Sequence, residues 1–305
     1  MTTLVFERIA VVGIGLIGSS IVRGARAKGL AGTIAVADHA GPHLARAREL
    51  GLGDDWHADA GDAAAGADLV MVAVPVGACE AVAKAIAPRL KPGAIVTDVG
   101  SVKASVVRQM KPHLPAGVHL IPGHPVAGTE FSGPDAGFAE LFENRWSILT
   151  PPDDVDPAAL ARLVAFWRGL GANVETMTAE HHDIVLAITS HLPHLIAYNI
   201  VGTAADVEQV TQSEVMKFSA GGFRDFTRIA ASDPTMWRDV FLHNREAVLE
   251  VLGRFTEDLF ALQRQIRWGE GDKLFDLFTR TRAIRRGIIG LGQETPAPDF
   301  GRRKG

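Results

Sequence analysis

Three groups of residues in this 305-residue chain have types and spacing that could do chemistry. The first is Gly13-Ile-Gly-Leu-Ile-Gly18, set directly between an apolar strand at residues 8–12 and helical spacing at Ile17, Ile21, Val22 and Ala25. In that setting each glycine has a mechanical task. Gly13 makes a tight turn, Gly15 lets the backbone approach a diphosphate, and Gly18 lets helix pack on strand. The N–H groups at Leu16 and Ile17 open the helix and, with its dipole, favour an anion. Asp38 closes the next strand, at residues 33–37, where a carboxylate accepts hydrogen bonds from an adenine ribose. It would repel a 2′-phosphate, so NAD is the expected cofactor rather than NADP. A helix cap for residues 42–50 is the structural alternative for Asp38.

The second group centres on His124, in His119-Leu-Ile-Pro-Gly-His-Pro-Val-Ala-Gly-Thr-Glu130. Residues 119–122 read as a buried strand stopped by a turn of Gly123, Pro125 and Gly128, which would deliver His124 into a ligand crevice. Imidazole can take a proton near neutral pH; the plainer alternative is a hydrogen bond to the turn backbone. The third group lies in the second half. His191 and His194, three apart, share a helix face beside Pro193. That spacing could serve a metal, but with no third ligand or matching glutamate nearby no metal is expected. Arg224 and Arg228 follow a glycine pair, flank Asp225, and sit among Phe223, Phe226 and Ile229. A solvated helix face would account for one such arginine, not for both.

The elements that must position these residues alternate in type. Asp68-Leu-Val-Met-Val-Ala-Val-Pro75 is continuously apolar, as a strand covered on both faces should be. Helix 76–90, strand 93–98, helix 102–110, strand 146–150 and helix 157–170 continue the series, and strand 173–176 is expected to close the same sheet. Ser101 sits at the end of strand 93–98 and could cap helix 102–110, face a substrate, or do both. Beyond Thr178 the β signal stops and helices run to about Gly287. The expected fold class is α/β: an N-terminal Rossmann-like doubly wound sheet over residues 1–177, then an all-α C-terminal domain over 178–305. One long helix, 241–268, carries Val248, Leu252, Phe255, Leu259, Leu262 and Ile266 at steps of four and three. Such a seam serves either a core helix or a helix packed on its copy in a dimer.

Bulk composition excludes several classes. A hydrophobic content of 47% with 22% charged residues is ordinary for a soluble globular protein. The formal net charge of -4 offers no electrostatic case for nucleic acid. A single cysteine, Cys79, excludes an internal disulfide or a cysteine metal cluster and fits a reducing compartment. No run approaches the roughly 18 apolar residues of a membrane span, and residues 1–7 lack a signal-peptide core. The expectation is a cytoplasmic protein with a small-molecule substrate, no membrane and no nucleic acid.

Taken in order, six motifs resemble one family, the prephenate/arogenate (cyclohexadienyl) dehydrogenases of tyrosine biosynthesis. They are Gly13-x-Gly-x-x-Gly18, Asp98-x-Gly-Ser-Val-Lys103, Gly123-His-Pro-x-x-Gly128, His191-Leu-Pro-His194, Gly222-Phe-Arg-Asp-Phe-Thr-Arg228 and Asp233-Pro-x-Met-Trp237. The resemblance implies NAD-dependent oxidative decarboxylation of prephenate to 4-hydroxyphenylpyruvate, of arogenate to tyrosine, or both. It gives His124 the ring-hydroxyl proton, has Ser101 orient that hydroxyl, and has Arg228 grip the ring carboxylate with a bidentate guanidinium. It sets His194 against the substrate side chain, with Glu130 and Asp225 in an acidic pocket network. Family members are homodimers through the helical domain, which favours the interface reading of the seam. With no chorismate mutase segment before residue 8 and no regulatory domain after the helices, the minimal monofunctional form is expected. The motifs are common to both substrates and carry no sign of tyrosine feedback. Two other classes compete. A β-hydroxyacid-type dehydrogenase would need a lysine in the helical half, with Lys217 the candidate, and an NAD(H)-sensing module would need only the glycine loop and Asp38.

Overall fold

Strands β1 (Phe6–Val12), β2 (Ala31–Ala37), β3 (Asp55–His57), β4 (Leu69–Val72), β5 (Ile95–Asp98) and β6 (His119–Leu120) form one parallel sheet in the order β3-β2-β1-β4-β5-β6. This is seen in a computed structural model that describes residues 4–129, 131–211 and 220–289. The crossovers carry α1 (Leu16–Ala27), α2 (Gly41–Glu49), α3 (Ala60–Ala64), α4 (Cys79–Ile86) and α5 (Ala104–Met110). Strand order reverses between β1 and β4, so a crevice opens at their carboxyl ends.

Alternation along the strands explains why helices cover both faces. Ile9 and Val11 join Ile21, Leu163, Phe166 and Trp167 in one core, while Ala10 and Val12 join Ala83, Ile86 and Val106 in the other. All four residues of β4 are fully buried, as the continuous apolar run required. Each large side chain so removed from water contributes about 1.5–3 kcal/mol.

Two expectations about the sheet are corrected. His124 lies not in a turn but in strand β7 (Gly123–Pro125), paired antiparallel with β8 (Trp146–Leu149). Strand β9 (Asn173–Thr176) pairs in parallel with β8, so these three make a separate small sheet and β9 does not close the large one. Pro122 supplies the reason. Ile121 N still donates to Val96 O at 2.9 Å, but proline has no N–H with which to extend that ladder. Its carbonyl accepts instead from Thr150 N at 2.8 Å, turning the chain toward β8. Helix α6 (Pro157–Gly169), capped by Asp156, lies between β8 and β9 in the chain.

The described residues of the second half are helical. Helix α7 (Ala179–Leu186) is capped by Thr178 and passes through a π-helical turn (Ala187–His191) into α8 (Leu192–Thr211). The wider turn gives room to the ring of Pro193, which clashes with the carbonyl four residues back in a regular α-helix. Contrary to expectation, the stretch Ala179–Val207 is long and apolar enough to pass as a membrane span, with mean hydropathy 1.5. Its His182, Asp183 and His191 are buried, and Asp183 and His191 are hydrogen-bonded to groups outside the stretch.

Helix α9 (Gly221–Thr227) leads through a 3-10 turn (Arg228–Ala231) to α10 (Pro234–His243), α11 (Arg245–Trp268) and α12 (Gly271–Ile289). The single helix expected over 241–268 is broken at Asn244, which has φ -110 and ψ 30. Asparagine competes poorly for helix interiors because its amide bonds elsewhere. Here Nδ2 donates to the Asp183 carbonyl at 2.8 Å and lies 3.1 Å from His191 Nδ1.

Contacts divide the chain into two compact units, Met1–Val248 and Leu249–Gly305. The boundary expected near Met177 falls inside the first unit, where Lys103 and Asp183 are hydrogen-bonded across it. In the second unit Leu259, Phe260, Ile266, Trp268, Phe275 and Phe278 are exposed on α11 and α12. Because Asn244 satisfies two buried groups of the first unit, Asn244→Ala should cost about 1–3 kcal/mol of stability. Urea denaturation of the two proteins measures this, and an unchanged midpoint would show that the amide is dispensable.

Candidate active site

The glycine loop follows β1 without a gap, and its three glycines behave differently. Gly13 has φ +92, and a Cβ there would strike the Ala73 carbonyl. A Cβ on Gly18 would strike the Gly13 carbonyl, so helix and strand meet with no room for a side chain. Gly15 has nothing within 4 Å of a built Cβ and faces open space. No side chain caps α1, so the N–H groups of Leu16 and Ile17 at the helix start have no side-chain acceptor among the described residues. Asp38, 8% exposed at the end of β2, accepts from Ile14 N at 3.0 Å and Ala40 N at 2.8 Å. The capping alternative is not realised, since α2 begins at Gly41 with no side-chain cap and Ala40 only precedes it; the Asp38 carboxylate instead ties the glycine loop to β2. An open approach at Gly15, an uncapped helix start and an acceptor at the strand end together fit a dinucleotide.

His124 is the centre of a hydrogen-bonded chain. Its Nδ1 lies 2.9 Å from Nε2 of His182, whose Nδ1 lies 2.8 Å from Asp183 Oδ1. The two imidazoles meet edge to face at 5.1 Å between centroids. Asp183 also accepts from Lys103 N at 2.7 Å and Ala104 N at 2.9 Å, and so caps α5 from the helical half. That corrects the expected start and cap of this helix: it begins at Ala104, and the Ser101 side chain caps nothing. Burial holds His124 well below the usual histidine pKa, and His182 and the Lys103 cation push the same way. His182 is also lowered, by burial first, with the bond to Asp183 opposing. Both rings are therefore neutral at neutral pH.

Lys103 is fully buried. Its ammonium pairs with Asp98, at the end of β5, and donates to Gly123 O at 2.6 Å. Asp98 accepts in turn from Gly100 N at 2.8 Å and Gly123 N at 3.2 Å. The residue immediately before His124 is thus held at both its N–H and its carbonyl.

On the substrate side, His194 Nδ1 donates to the Ser190 carbonyl at 2.8 Å, and the ring stacks on Trp237 at 3.6 Å. Burial lowers the His194 pKa, and the nearby Arg228 cation lowers it further, so these two expected residues do come together. His191 is fully buried, 6.1 Å from Trp237 between ring centroids, with its pKa pushed down to about 4 by burial. Both rings thus meet Trp237, and His191 in addition lies 3.1 Å from Asn244 Nδ2. Ser101 is half-buried beside Asp98 and Lys103, Arg228 is half-buried in its 3-10 turn, and Asp225 is exposed on α9. Glu130 lies outside the described residues. Sequence reasoning assigned no role to His182, Asp183, Lys103, Trp237 or Asn244. The adjacent pair His182-Asp183 just inside a capped helix was the one local signal.

The glycine geometry separates two substitutions. Gly15→Ala should fold normally and raise the NAD KM, because its Cβ intrudes only on the ligand's approach. Gly18→Ala should lose stability as well, since the helix must move off the strand. Thermal melts and cofactor titrations of both variants test this; equal stability losses would contradict it.

Comparison with known proteins agrees with this geometry. Residues 21–176 match the model of the prephenate dehydrogenase nucleotide-binding domain, and residues 178–280 that of the prephenate dehydrogenase dimerization domain. The chain is 45% identical over 281 residues to the cyclohexadienyl dehydrogenase of Zymomonas mobilis, covering 92% of this chain and 96% of that one. It is 32% identical over 295 residues to the prephenate dehydrogenase of Bacillus subtilis, covering 96% and 79%. Among solved structures, prephenate dehydrogenase from Aquifex aeolicus, in complex with hydroxyphenyl propionate and NAD+, superposes with a TM-score of 0.86 at 34% identity, covering 92% and 98%. On these matches, with the glycine loop and the buried histidine chain in place, the protein belongs to the prephenate dehydrogenase family.

Proposed function

We propose that His124 is the base, and Arg228 and His194 the substrate anchors, in the NAD-dependent oxidative decarboxylation of prephenate, arogenate or both. The chain is an NAD-dependent dehydrogenase of tyrosine synthesis. The observation that carries the residue roles is the buried His124, next to Gly123 at the carboxyl end of β5, with one ring nitrogen committed to His182. NAD, when bound along the Gly13–Gly18 loop and Asp38, supplies the acceptor for the hydride leaving the ring carbon. His124 takes the hydroxyl proton from the same carbon. The bond from the opposite ring carbon to its carboxylate breaks, carbon dioxide departs, and the ring becomes aromatic. Aromatisation supplies the driving force, so the protein's task is to hold the ring. Arg228 would grip the ring carboxylate, His194 would face the substrate side chain, and Ser101 would orient the hydroxyl. Asp225 and Glu130 are assigned to the pocket's acidic network by the family motif alone.

The competing classes are less well supported. A 3-hydroxyisobutyrate dehydrogenase from Mycobacterium tuberculosis superposes with a TM-score of 0.53 at 13% identity, a likeness of fold alone. The lysine such an enzyme would use, Lys217, lies outside the described residues. A sensing module would have no use for the His124–His182–Asp183 chain.

Residues 1–177 are assigned to cofactor binding and 178–305 to substrate binding and dimerisation. The two family models meet at that line. The proposed assembly is a homodimer built on the exposed apolar side chains of α11 and α12, including Leu259 and Ile266 of the expected seam. The cytoplasm is the proposed compartment, in keeping with a free, buried Cys79.

His124→Asn should lower turnover roughly a hundredfold to ten-thousandfold, the usual worth of a general base, while substrate still binds. Because a neutral base is needed and burial depresses its pKa, wild-type kcat should stay level below pH 6.5 and fall only at lower pH. NADH formation with prephenate across pH tests both points; a variant with near-normal turnover would remove His124 from the role. Leu259→Arg would place an unpaired charge in the dimer interface, costing roughly 3–5 kcal/mol. Light scattering should find a wild-type dimer and a dissociated variant, and a wild-type monomer at micromolar concentration would contradict the assembly.

A further inference from the structure

We infer that His182 is a positioning residue that, anchored by Asp183, sets His124 in the tautomer with its proton on Nδ1 and its free lone pair on Nε2. The inference rests on the reading of His124 as the base, and concerns which of its nitrogens acts. Asp183 is the fixed end of the hydrogen-bonded chain. Its carboxylate oxygens accept from the backbone N–H groups of Lys103 and Ala104 at 2.7 and 2.9 Å, which orients the group as an acceptor toward His182. His182 Nδ1, 2.8 Å from Oδ1, must then carry the proton it donates. A neutral His182 consequently presents a bare Nε2. His124 Nδ1 lies 2.9 Å from that nitrogen and must be the donor.

The opposite tautomer has no relief. With its proton on Nε2, His124 would set lone pair against lone pair at that 2.9 Å contact. Flipping His182 to donate there would turn its own Nδ1 lone pair onto Asp183. His182 has no exposed surface and His124 and Asp183 are buried, so the contact between the two rings is shielded from water that could soften either clash. The charged and titratable groups around it are consistent with neutral rings. Lys103 and His191 face His124 and oppose its protonation, while Asp183 faces His182 and Asp98 pairs with Lys103. Nε2 of His124 takes no hydrogen bond from the described residues, so it is the nitrogen left for the ring hydroxyl. Asp183 thereby couples two tasks, capping α5 and orienting the base through His182.

The direct test is long-range proton–nitrogen NMR on 15N-histidine-labelled, NAD-loaded enzyme, with His124→Asn used to assign the signal. The expected spectrum at neutral pH has a protonated Nδ1 and a bare Nε2 on His124; the reverse pattern in the wild-type enzyme overturns the inference. His182→Leu removes the acceptor and should lower kcat about tenfold or more, as a wrong tautomer does, with KM changed less than about twofold. His182→Gln returns an acceptor oxygen and should recover most of that kcat. Full activity in the leucine variant, or equal losses in both, also overturns it. Normal turnover in His124→Asn would instead remove the base assignment while leaving the tautomer measurement standing, so the two failures are distinguishable.

Discussion

A lysine with no exposed surface is the constraint on which the reaction centre depends. An ammonium taken out of water costs several kcal/mol unless its partners are close and well directed. Lys103 has both, in the Asp98 carboxylate and the Gly123 carbonyl. Three elements meet through those contacts: the end of β5, the start of α5 and strand β7. None can shift without leaving a buried charge unpaired, a loss of roughly 3–5 kcal/mol. Since His124 is the next residue after Gly123, the ion pair also sets where the imidazole begins. The cation then acts at a distance, disfavouring protonation of His124 and His182.

Carboxylates at strand ends do similar work on the cofactor side. Asp38 ties β2 to the glycine loop through Ile14, as Asp98 ties β5 to β7 through Gly123. In both places a loop that must stay open to a ligand cannot be held by apolar packing. Charge-assisted bonds to backbone N–H groups supply the rigidity instead. Asp183 repeats the device from the helical half, where one side chain both closes the first turn of α5 and orients a histidine.

Much of this was legible in the sequence because it is local. The strand-glycine-helix unit, the buried run of β4 and the carboxylate at Asp38 are read from neighbours in the chain, and the structure has them where the spacing put them. What was missed depends on partners far away in sequence. By sequence Ser101 is one candidate cap for the helix 102–110, whereas the cap arrives from Asp183, some eighty positions on. Asn244 looked like one more residue of a long helix until its amide was seen to serve Asp183 and His191. The separate small sheet follows from a missing N–H at Pro122, a local fact whose consequence needed the position of β8. Residues 191 and 194 share a face by spacing, yet one is buried in packing and the other stacks beside Arg228, a distinction periodicity does not contain.

The coupling of hydride loss to decarboxylation on one six-membered ring distinguishes this chemistry from a simple alcohol oxidation. It is tested most directly with prephenate carrying deuterium on the ring carbon that bears the hydroxyl. Reduced cofactor and released carbon dioxide would be measured together, by mass spectrometry, during turnover by the intact chain. Deuterium in the reduced nicotinamide and carbon dioxide are expected in equal amounts. Reduced cofactor formed without carbon dioxide would contradict the coupling, and would point to a simple alcohol oxidation.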